Sequence, residues 1–456
     1  MSDFATRLVD SGMTASEAAA KQQLFARACA ALDSSRAGAF ATFAVFVPGR
    51  IEVLGKHTDY AGGRSLLCAV ERGICLVARP RPDGVVRAHD TISGTTVSVP
   101  ALGPADASSD NLNPAEARSR DTIALSWAVY VSTVAGRLAR NFPDARRGAD
   151  IALASDLPMA AGMSSSSALV TSLLIALAAL NDLPSGGVWR ANITTREDLA
   201  EYLGTVENGQ DFRALAGDAG VGTFGGSEDH TAMLCCRAGE LSQYSFCPVR
   251  HERQIRMPAG YVVVVAVSGV AAEKTGAARH AYNDASAAAR QVLATWNRAT
   301  GRQDTTLRAA VESGVDATER IRALLPGSGG LRQRFDQFVE ETFVIVPKVG
   351  DLVSAGRLDL IGDLVDRSQA GAEHGLRNQV PETIFLARSA RQLGAAAASA
   401  FGAGFGGSVW ALVAHSSAEE FSARWSERYR AAFPQHADRA QFFATTPGPA
   451  AVEMRL

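Results

Sequence analysis

The chain has 456 residues, 47% hydrophobic and 20% charged, which is the composition of a folded globular protein long enough for two or more domains. Lys plus Arg number 45 against 47 Asp plus Glu, a formal charge of -2, so there is no basic footprint for nucleic acid or an anionic membrane. Cysteines stand at 29, 68, 75, 235, 236 and 247 without a C-x-x-C pair, which argues against a zinc ribbon and for a reduced, cytoplasmic protein. No apolar run reaches the roughly 20 residues of a membrane span, and MSDFATRLVD does not read as a secretory signal.

From the N-terminus, residues 14–32 read as an amphipathic helix with Thr14 or Ser16 as cap. Phe43–Val47 is a short strand that should stop at the turn signal Pro48-Gly49-Arg50 and resume over Ile51–Leu54. Gly55–Gly63 is a polar loop, and Leu66–Ala78 a strand or buried helical turn. Val85–Ala88 and Thr95–Val99 suit a hairpin, and 101–121, rich in Pro, Ser, Asp and Asn, a surface loop. Thr122–Asn141 is helical, Ala149–Ala154 a strand, and a small-residue loop then enters a long Ala/Leu helix ending near Leu180. A helix over Ala200–Asn208 precedes a glycine-rich loop, 209–227. The β-branched run Tyr261–Val267 is a buried strand. Helices are expected over 275–300, 305–324, 331–346, 350–369 and 417–432, with a strand from Ser408 to Val413. The mixture argues α+β, and Pro248-Val249-Arg250-His251 is the expected division between domains 1–250 and 251–456.

Three segments concentrate chemistry. The first, residues 48–63, packs Arg50, Lys56, His57 and Asp59 into a glycine-bounded loop after a strand, where binding groups usually sit. The second runs from Asp156-Leu157-Pro158 through Ala160, Ala161, Gly162, Met163, Ser164, Ser165 and Ser166 into a helix. Backbone N–H groups and the helix dipole favour an anion there, most often phosphate. Capping needs one hydroxyl, whereas four serines follow Gly162. The third, Phe401–Ser408, fits G-x-G-x-x-G through Gly402, Gly404 and Gly407. A dinucleotide fingerprint follows a strand and opens a helix; here an Ala-rich helical run precedes and a strand follows. A tight turn approaching a ligand or the second segment is the better reading.

In this order the segments resemble the galactokinase family of the GHMP small-molecule kinases. Residues 48–63 look like P-G-R-x-x-x-x-G-E-H-T-D-Y-x-G-G, the segment 156–169 like P-x-x-x-G-x-S-S-S-A, and 402–408 like G-A-G-F-G-G. The resemblance implies a two-domain α+β fold, with an N-terminal domain like ribosomal protein S5 domain 2 and a ferredoxin-like C-terminal domain. It implies transfer of the ATP γ-phosphoryl group to a sugar hydroxyl, anomeric in galactokinases, with Mg²⁺; the charge balance adds the expectation of no nucleic-acid or membrane partner, and a monomer is expected although the sequence does not fix the oligomeric state. Asp229, in Gly226-Ser227-Glu228-Asp229-His230, matches the catalytic base, and Arg50 the group that stabilises the transferring phosphoryl. Lys56, His57, Asp59 and Tyr282 match sugar-binding positions, Ala160 to Ser166 the phosphate loop, and Ser166 and Glu207 the metal ligands.

The departures from the family pattern are specific. Lys56 replaces a Glu that, by resemblance, touches the sugar near C6. An ammonium donates where a carboxylate accepts, so Lys56 either reads an acidic sugar such as a uronate or pairs internally with Glu228, itself in place of an uncharged residue. Ala160 replaces the first glycine of the phosphate loop and needs a negative φ or mild strain. Extra residues at 209–218 stand between Glu207 and Asp229, His230 replaces a Gln, and Ser408 stands where Cys is common. A catalytically silent sugar or ATP sensor is the reading from another class; Arg50, Ser166 and Asp229 together argue against it.

Overall fold

A computed structural model describes residues 3–34, 41–99, 122–272, 276–327 and 329–456; the expected loop at 101–121 lies outside them. The N-terminal sheet is built from β1 (Phe43–Leu54), β2 (Arg64–Arg81), β3 (Val86–Asp90), β4 (Thr96–Val99), β5 (Gly148–Ser155), β6 (Glu240–Ser245) and β7 (Arg250–Arg256). The C-terminal sheet holds β8 (Tyr261–Val267), β9 (Ala397–Phe401), β10 (Ser408–Ala414) and β11 (Gln441–Thr445), and β12 (Val452–Arg455) returns to the first sheet. The first sheet is ordered β12-β1-β2-β5-β3-β4, with the β6–β7 hairpin on β2. The second is β11-β8-β10-β9, antiparallel throughout.

β1 does not stop at Pro48-Gly49-Arg50. It runs from Phe43 to Leu54 with every residue buried. Pro48 lacks a donor but is tolerated because β12 pairs β1 only from Phe43 to Phe46. The register on β2 slips between Pro48 and Arg50 and again between Glu52 and Leu54. Such bulges bend a strand and re-aim its side chains. Gly49 sits so close to the second segment that a Cβ would stand 2.6 Å from Leu157 and 3.0 Å from the Met163 carbonyl. The proline and glycine are therefore marks of a bulge beside the site.

The helix Ser165–Leu180 is apolar on nearly all sides and buried beneath β1 and β2, as a helix without a polar face must be. The run in β8 is buried on both faces. Val263 and Val265 join the central core, while Val262, Val264 and Ala266 pack on the helices Pro381–Gln392 and Ala418–Ala432 through Leu386, Phe421, Trp425 and Tyr429. A third cluster around Trp296, Phe335 and Phe338 lies against the loop at Ala61. No helix among the described residues is long and apolar enough to cross a membrane.

Several expected boundaries move. The helices anticipated at 331–346 and 350–369 are instead one run from Gly330 to Ser354, through a wide turn at Glu341–Ile345, and a separate helix Gly362–Gly371. Pro347 falls in the first turn after the wide segment, where a missing N–H costs little. The Ala-rich run before the third motif ends as strand β9, because it pairs with β10. β7 extends to Arg256, so a division at 250 would cut the β6–β7 hairpin; we propose the division after Arg256, with β12 returning to the first domain.

One buried ion pair ties the N-terminal helix to the second segment. Lys21, in the helix Ala15–Ser34, is fully buried, with its Nζ 2.6 Å from both Glu17 and Asp156. Asp156 also accepts from the Gly73 N–H at 2.8 Å. Removing one partner of a buried pair costs about 3–5 kcal/mol, less where the stranded carboxylates reach water. Lys21→Met should therefore lower the stability of the folded chain by about 2 kcal/mol in urea denaturation. A shift below about 0.5 kcal/mol would show that the pair is merely a surface contact.

Candidate active site

The first two segments meet at Arg50, beside Asp229. Its Nε donates to Asp229 Oδ1 at 2.7 Å, one NH2 group to the Gly162 carbonyl at 2.5 Å, and its backbone N–H to the Met163 carbonyl at 3.4 Å. The side chain is buried. Burial works against its charge, and Asp229, Glu228 and Glu52 more than restore it, so its pKa lies above the ordinary arginine value. Asp229 sits in the first turn of the helix Glu228–Cys235. Its other oxygen accepts from Ser164 Oγ at 2.5 Å and from Ser167 Oγ at 3.4 Å. Both carboxylate oxygens are thus oriented.

Four consecutive carbonyls of the second segment are turned to donors on the protein body. Ala160 accepts from the Ala272 N–H at 2.8 Å, Ala161 from Ser408 Oγ at 2.6 Å, and Gly162 and Met163 from Arg50. An anion-binding loop must keep carbonyl oxygens away from the anion, and this pinning does so at the start of the helix Ser165–Leu180. Ser164 precedes that helix in the left-handed conformation, φ +57°, and Ser165 and Ser166 are half-buried in its first turn. Ala160 has φ +48°, so the strained alternative holds at this position; a non-glycine residue there costs roughly 1–2 kcal/mol. The third motif supports the loop. A Cβ on Gly402, φ +82°, would stand 2.5 Å from the Gly162 carbonyl oxygen.

His57, Asp59 and Tyr282 form a second group. The rings of His57 and Tyr282 lie 5.1 Å apart between centroids. His57 Nδ1 is 3.2 Å from the Tyr60 hydroxyl, and Nε2 is 3.2 Å from the Ala403 carbonyl. Asp59 Oδ2 accepts from the Glu228 N–H at 3.2 Å. Burial pushes the Asp59 pKa up, with the Asp229 charge adding to it against backbone donors. Burial likewise raises Tyr282, helped by Asp59 and Asp229. Arg334, which the motifs did not signal, holds this loop by donating to the His57 carbonyl at 2.6 Å and to the Tyr60 hydroxyl at 3.2 Å.

Lys56 is placed differently from its neighbours. It is 1% exposed, and its Nζ donates to Ser368 Oγ at 3.2 Å. Ser368 donates to Glu341 at 2.9 Å, and Glu341 also accepts from the Gly55 N–H at 2.8 Å. The internal partner is therefore not Glu228, which accepts from Ser65 Oγ at 2.5 Å. Glu207 lies 3.4 Å from His230 Nε2, whose Nδ1 is 3.0 Å from Thr171 Oγ1. Oxygen donors from a hydroxyl and a carboxylate are those Mg²⁺ takes beside substrate phosphates, so Ser166 and Glu207 fit the ion chemically.

Three family descriptions match the chain. The galactokinase galactose-binding signature covers residues 35–80, the GHMP kinases N terminal domain 129–225, and the GHMP kinases C terminal region 350–431. The galactokinase of Roseiflexus sp. (strain RS-1) is 28% identical over 391 residues, which cover 84% of this chain and 87% of that protein. That of Streptomyces coelicolor is 28% identical over 377 residues, with 80% and 83% covered. Lactococcus lactis galactokinase, solved with galactose, superposes with a TM-score of 0.71 at 22% identity, over 91% of this chain and 95% of that one. The two-domain α+β fold is common to both.

The Gly402 contact is open to test. Gly402→Ala combines a positive φ with backbone overlap on Gly162, and should cost on the order of 2 kcal/mol in urea denaturation. It should also weaken nucleotide binding in calorimetry. Wild-type values for both would show that the turn does not brace the loop.

Proposed function

The chain belongs to the galactokinase family of the GHMP small-molecule kinases, and from that premise we propose that it transfers the γ-phosphoryl group of ATP to the anomeric hydroxyl of galactose. The observation that carries the proposal is the 2.7 Å contact between Arg50 and Asp229, made beside a loop whose carbonyls are pinned inward. It sets a carboxylate and a guanidinium at the mouth of an anion site.

In this reading the loop Ala160–Ser166 and the helix behind it hold the phosphates, and His57, Asp59 and Tyr282 line the sugar. Arg50 spreads the negative charge on the transferring group, for which a planar guanidinium is suited. A carboxylate paired with an arginine is a weak base, and a loose phosphoryl-transfer transition state asks little of a base. Asp229 therefore acts chiefly by orienting the sugar hydroxyl and taking its proton late, at the oxygen that Ser164 now contacts. Mg²⁺, held by Ser166 and Glu207, would neutralise phosphate charge. The six free cysteines suit a reducing cytoplasm. Galactose is favoured over a uronate because Lys56 is engaged with Ser368 and Glu341.

Asp229→Asn should lower kcat by about 10²–10⁴-fold while calorimetry finds ATP affinity nearly unchanged; near-normal turnover would remove Asp229 from its role. Coupled ADP release over galactose, glucose, arabinose, N-acetylgalactosamine, galacturonate and glucuronate should show galactose as the best substrate. Turnover confined to a uronate would transfer the reading to Lys56. Silence on every sugar with ATP still bound would favour a sensor.

A further inference from the structure

The imidazole of His57 is bonded within the protein in a way that fixes where its hydrogen sits. His57 is 6% exposed and holds the left-handed conformation, φ +57°. Its Nε2 lies 3.2 Å from the Ala403 carbonyl oxygen, and its Nδ1 lies 3.2 Å from the Tyr60 hydroxyl. A carbonyl only accepts, so Nε2 carries the hydrogen. In a neutral imidazole Nδ1 then accepts, and the Tyr60 hydroxyl donates to it. The same hydroxyl oxygen accepts from Arg334 Nη2 at 3.2 Å, and a guanidinium only donates. The series runs in one direction, from Arg334 through Tyr60 and His57 to the Ala403 carbonyl. It uses both ring nitrogens in the plane of the ring.

The loop does not depend on these ring contacts for its own shape. The Gly55 N–H donates to Glu341 at 2.8 Å, the Lys56 carbonyl accepts from Gln337 Nε2 at 3.2 Å, and the His57 carbonyl accepts from Arg334 at 2.6 Å. Three successive residues are thus held through their main chain by side chains of the run Gly330–Ser354. What the imidazole adds is a grip on the glycine turn. The Ala403 carbonyl takes a second donor, Asn378 Nδ2, at 3.3 Å, and the Asn378 carbonyl accepts from the Phe405 N–H at 2.6 Å. The residue before Ala403 is Gly402, where a Cβ would stand 2.5 Å from the Gly162 carbonyl oxygen. That oxygen is also the acceptor for Arg50. The His57 ring therefore reaches the phosphate loop through two backbone residues.

We propose that His57 is a positioning residue whose Nε2–H clasps the Ala403 carbonyl and so ties the loop that lines the sugar to the turn that braces the phosphate loop. It meets the sugar with the face of its ring, which lies 5.1 Å from Tyr282 between centroids, and not with a ring nitrogen. Hydrogen bonding to a sugar hydroxyl on this side falls to the Asp59 carboxylate. Cutting the clasp frees the turn, and the phosphate loop loses a brace even when no sugar is present. The sugar part of the proposal rests on the kinase reading; the clasp itself does not.

Two variants separate a clasp from a sugar contact. His57→Phe keeps a ring and loses both nitrogens. His57→Gln loses the ring but offers an amide donor to Ala403 and an acceptor to Tyr60. Neither is β-branched, so the strain at the positive φ is similar in the two. In calorimetry without sugar, His57→Phe should bind ATP about fivefold more weakly, the worth of one hydrogen bond, and His57→Gln should return to within about twofold of the wild type. Wild-type ATP affinity in His57→Phe, with the loss confined to the galactose KM, would overturn the clasp and leave the kinase reading standing. Independently of activity, nitrogen-15 NMR of the full chain with labelled histidine rings reads the tautomer directly. The His57 signals, identified as those missing from His57→Gln, should show a hydrogen on Nε2 and none on Nδ1, before and after galactose is added. A hydrogen on Nδ1, or ring-nitrogen signals displaced by galactose to those of a new hydrogen-bond partner, would overturn the proposal. The Nε2–H signature with weakened ATP binding in His57→Phe but no sugar turned over upholds the clasp and sinks the kinase reading. Should His57→Phe fail to fold, the spectra of the wild type and His57→Gln decide.

Discussion

A buried guanidinium must find partners for its charge and its N–H groups, and Arg50 finds them on segments far apart in the chain. Asp229 takes one N–H and the Gly162 carbonyl another, while the Arg50 backbone reaches Met163. The bulge at Pro48-Gly49 turns Arg50 out of the sheet toward these partners, and the glycine turn at 402 braces the far side of the same carbonyl. Substituting an uncharged side chain at 50 would leave Asp229 and a loop carbonyl without their donor at once. The sheet, the anion loop and the start of the Glu228 helix are thus positioned by one side chain.

Much of this was legible in the sequence because short-range chemistry dictates it. A small-residue loop entering an apolar helix can do little except present a helix N-terminus, and the helix forms from Ser165 to Leu180. The glycines at 402–407 signal a close approach, and Gly402 does touch Gly162. Other features were hidden because their cause is tertiary. Pro48-Gly49 carries an ordinary turn signal, and only the absence of β12 beside it lets the strand continue. β9 is Ala-rich and reads as helix until β10 is there to pair with it. β12 and the β6–β7 hairpin have no strong pattern of their own; they are strands because β1 and β2 offer them edges.

The site shows the same division. Arg50, His57 and Asp59 stand out as charged residues in a glycine-bounded segment, and Asp229 only through the family resemblance. Arg334 did not, because it acts on the backbone of the His57 loop from a helix with an ordinary amphipathic pattern. Glu52 carried a usable signal: with Arg50 it is one of two charges at buried positions of an apolar strand, a combination that demands partners. The pinning of four consecutive carbonyls needed Ala272 and Ser408, which no local pattern links to residue 160.

The charged residues at 52, 56 and 228 are best understood as one charge arrangement. A buried ammonium at 56 would be costly alone. Ser368 relays it to Glu341, and its field is felt at Glu52. Glu52 in turn would be costly beside Glu228 and Glu341 unless Arg50 and Lys56 offset it. Each member makes sense only with the others, so exchanging Lys56 by itself for a carboxylate would add a charge beside Glu52 and Glu341 and leave the cluster with a single cation. A charge reversal inside a binding loop is thus weak evidence for a charged substrate when the compensating groups lie within the same buried cluster. Under the proposed function, the groups that meet the sugar are His57, Asp59 and Tyr282.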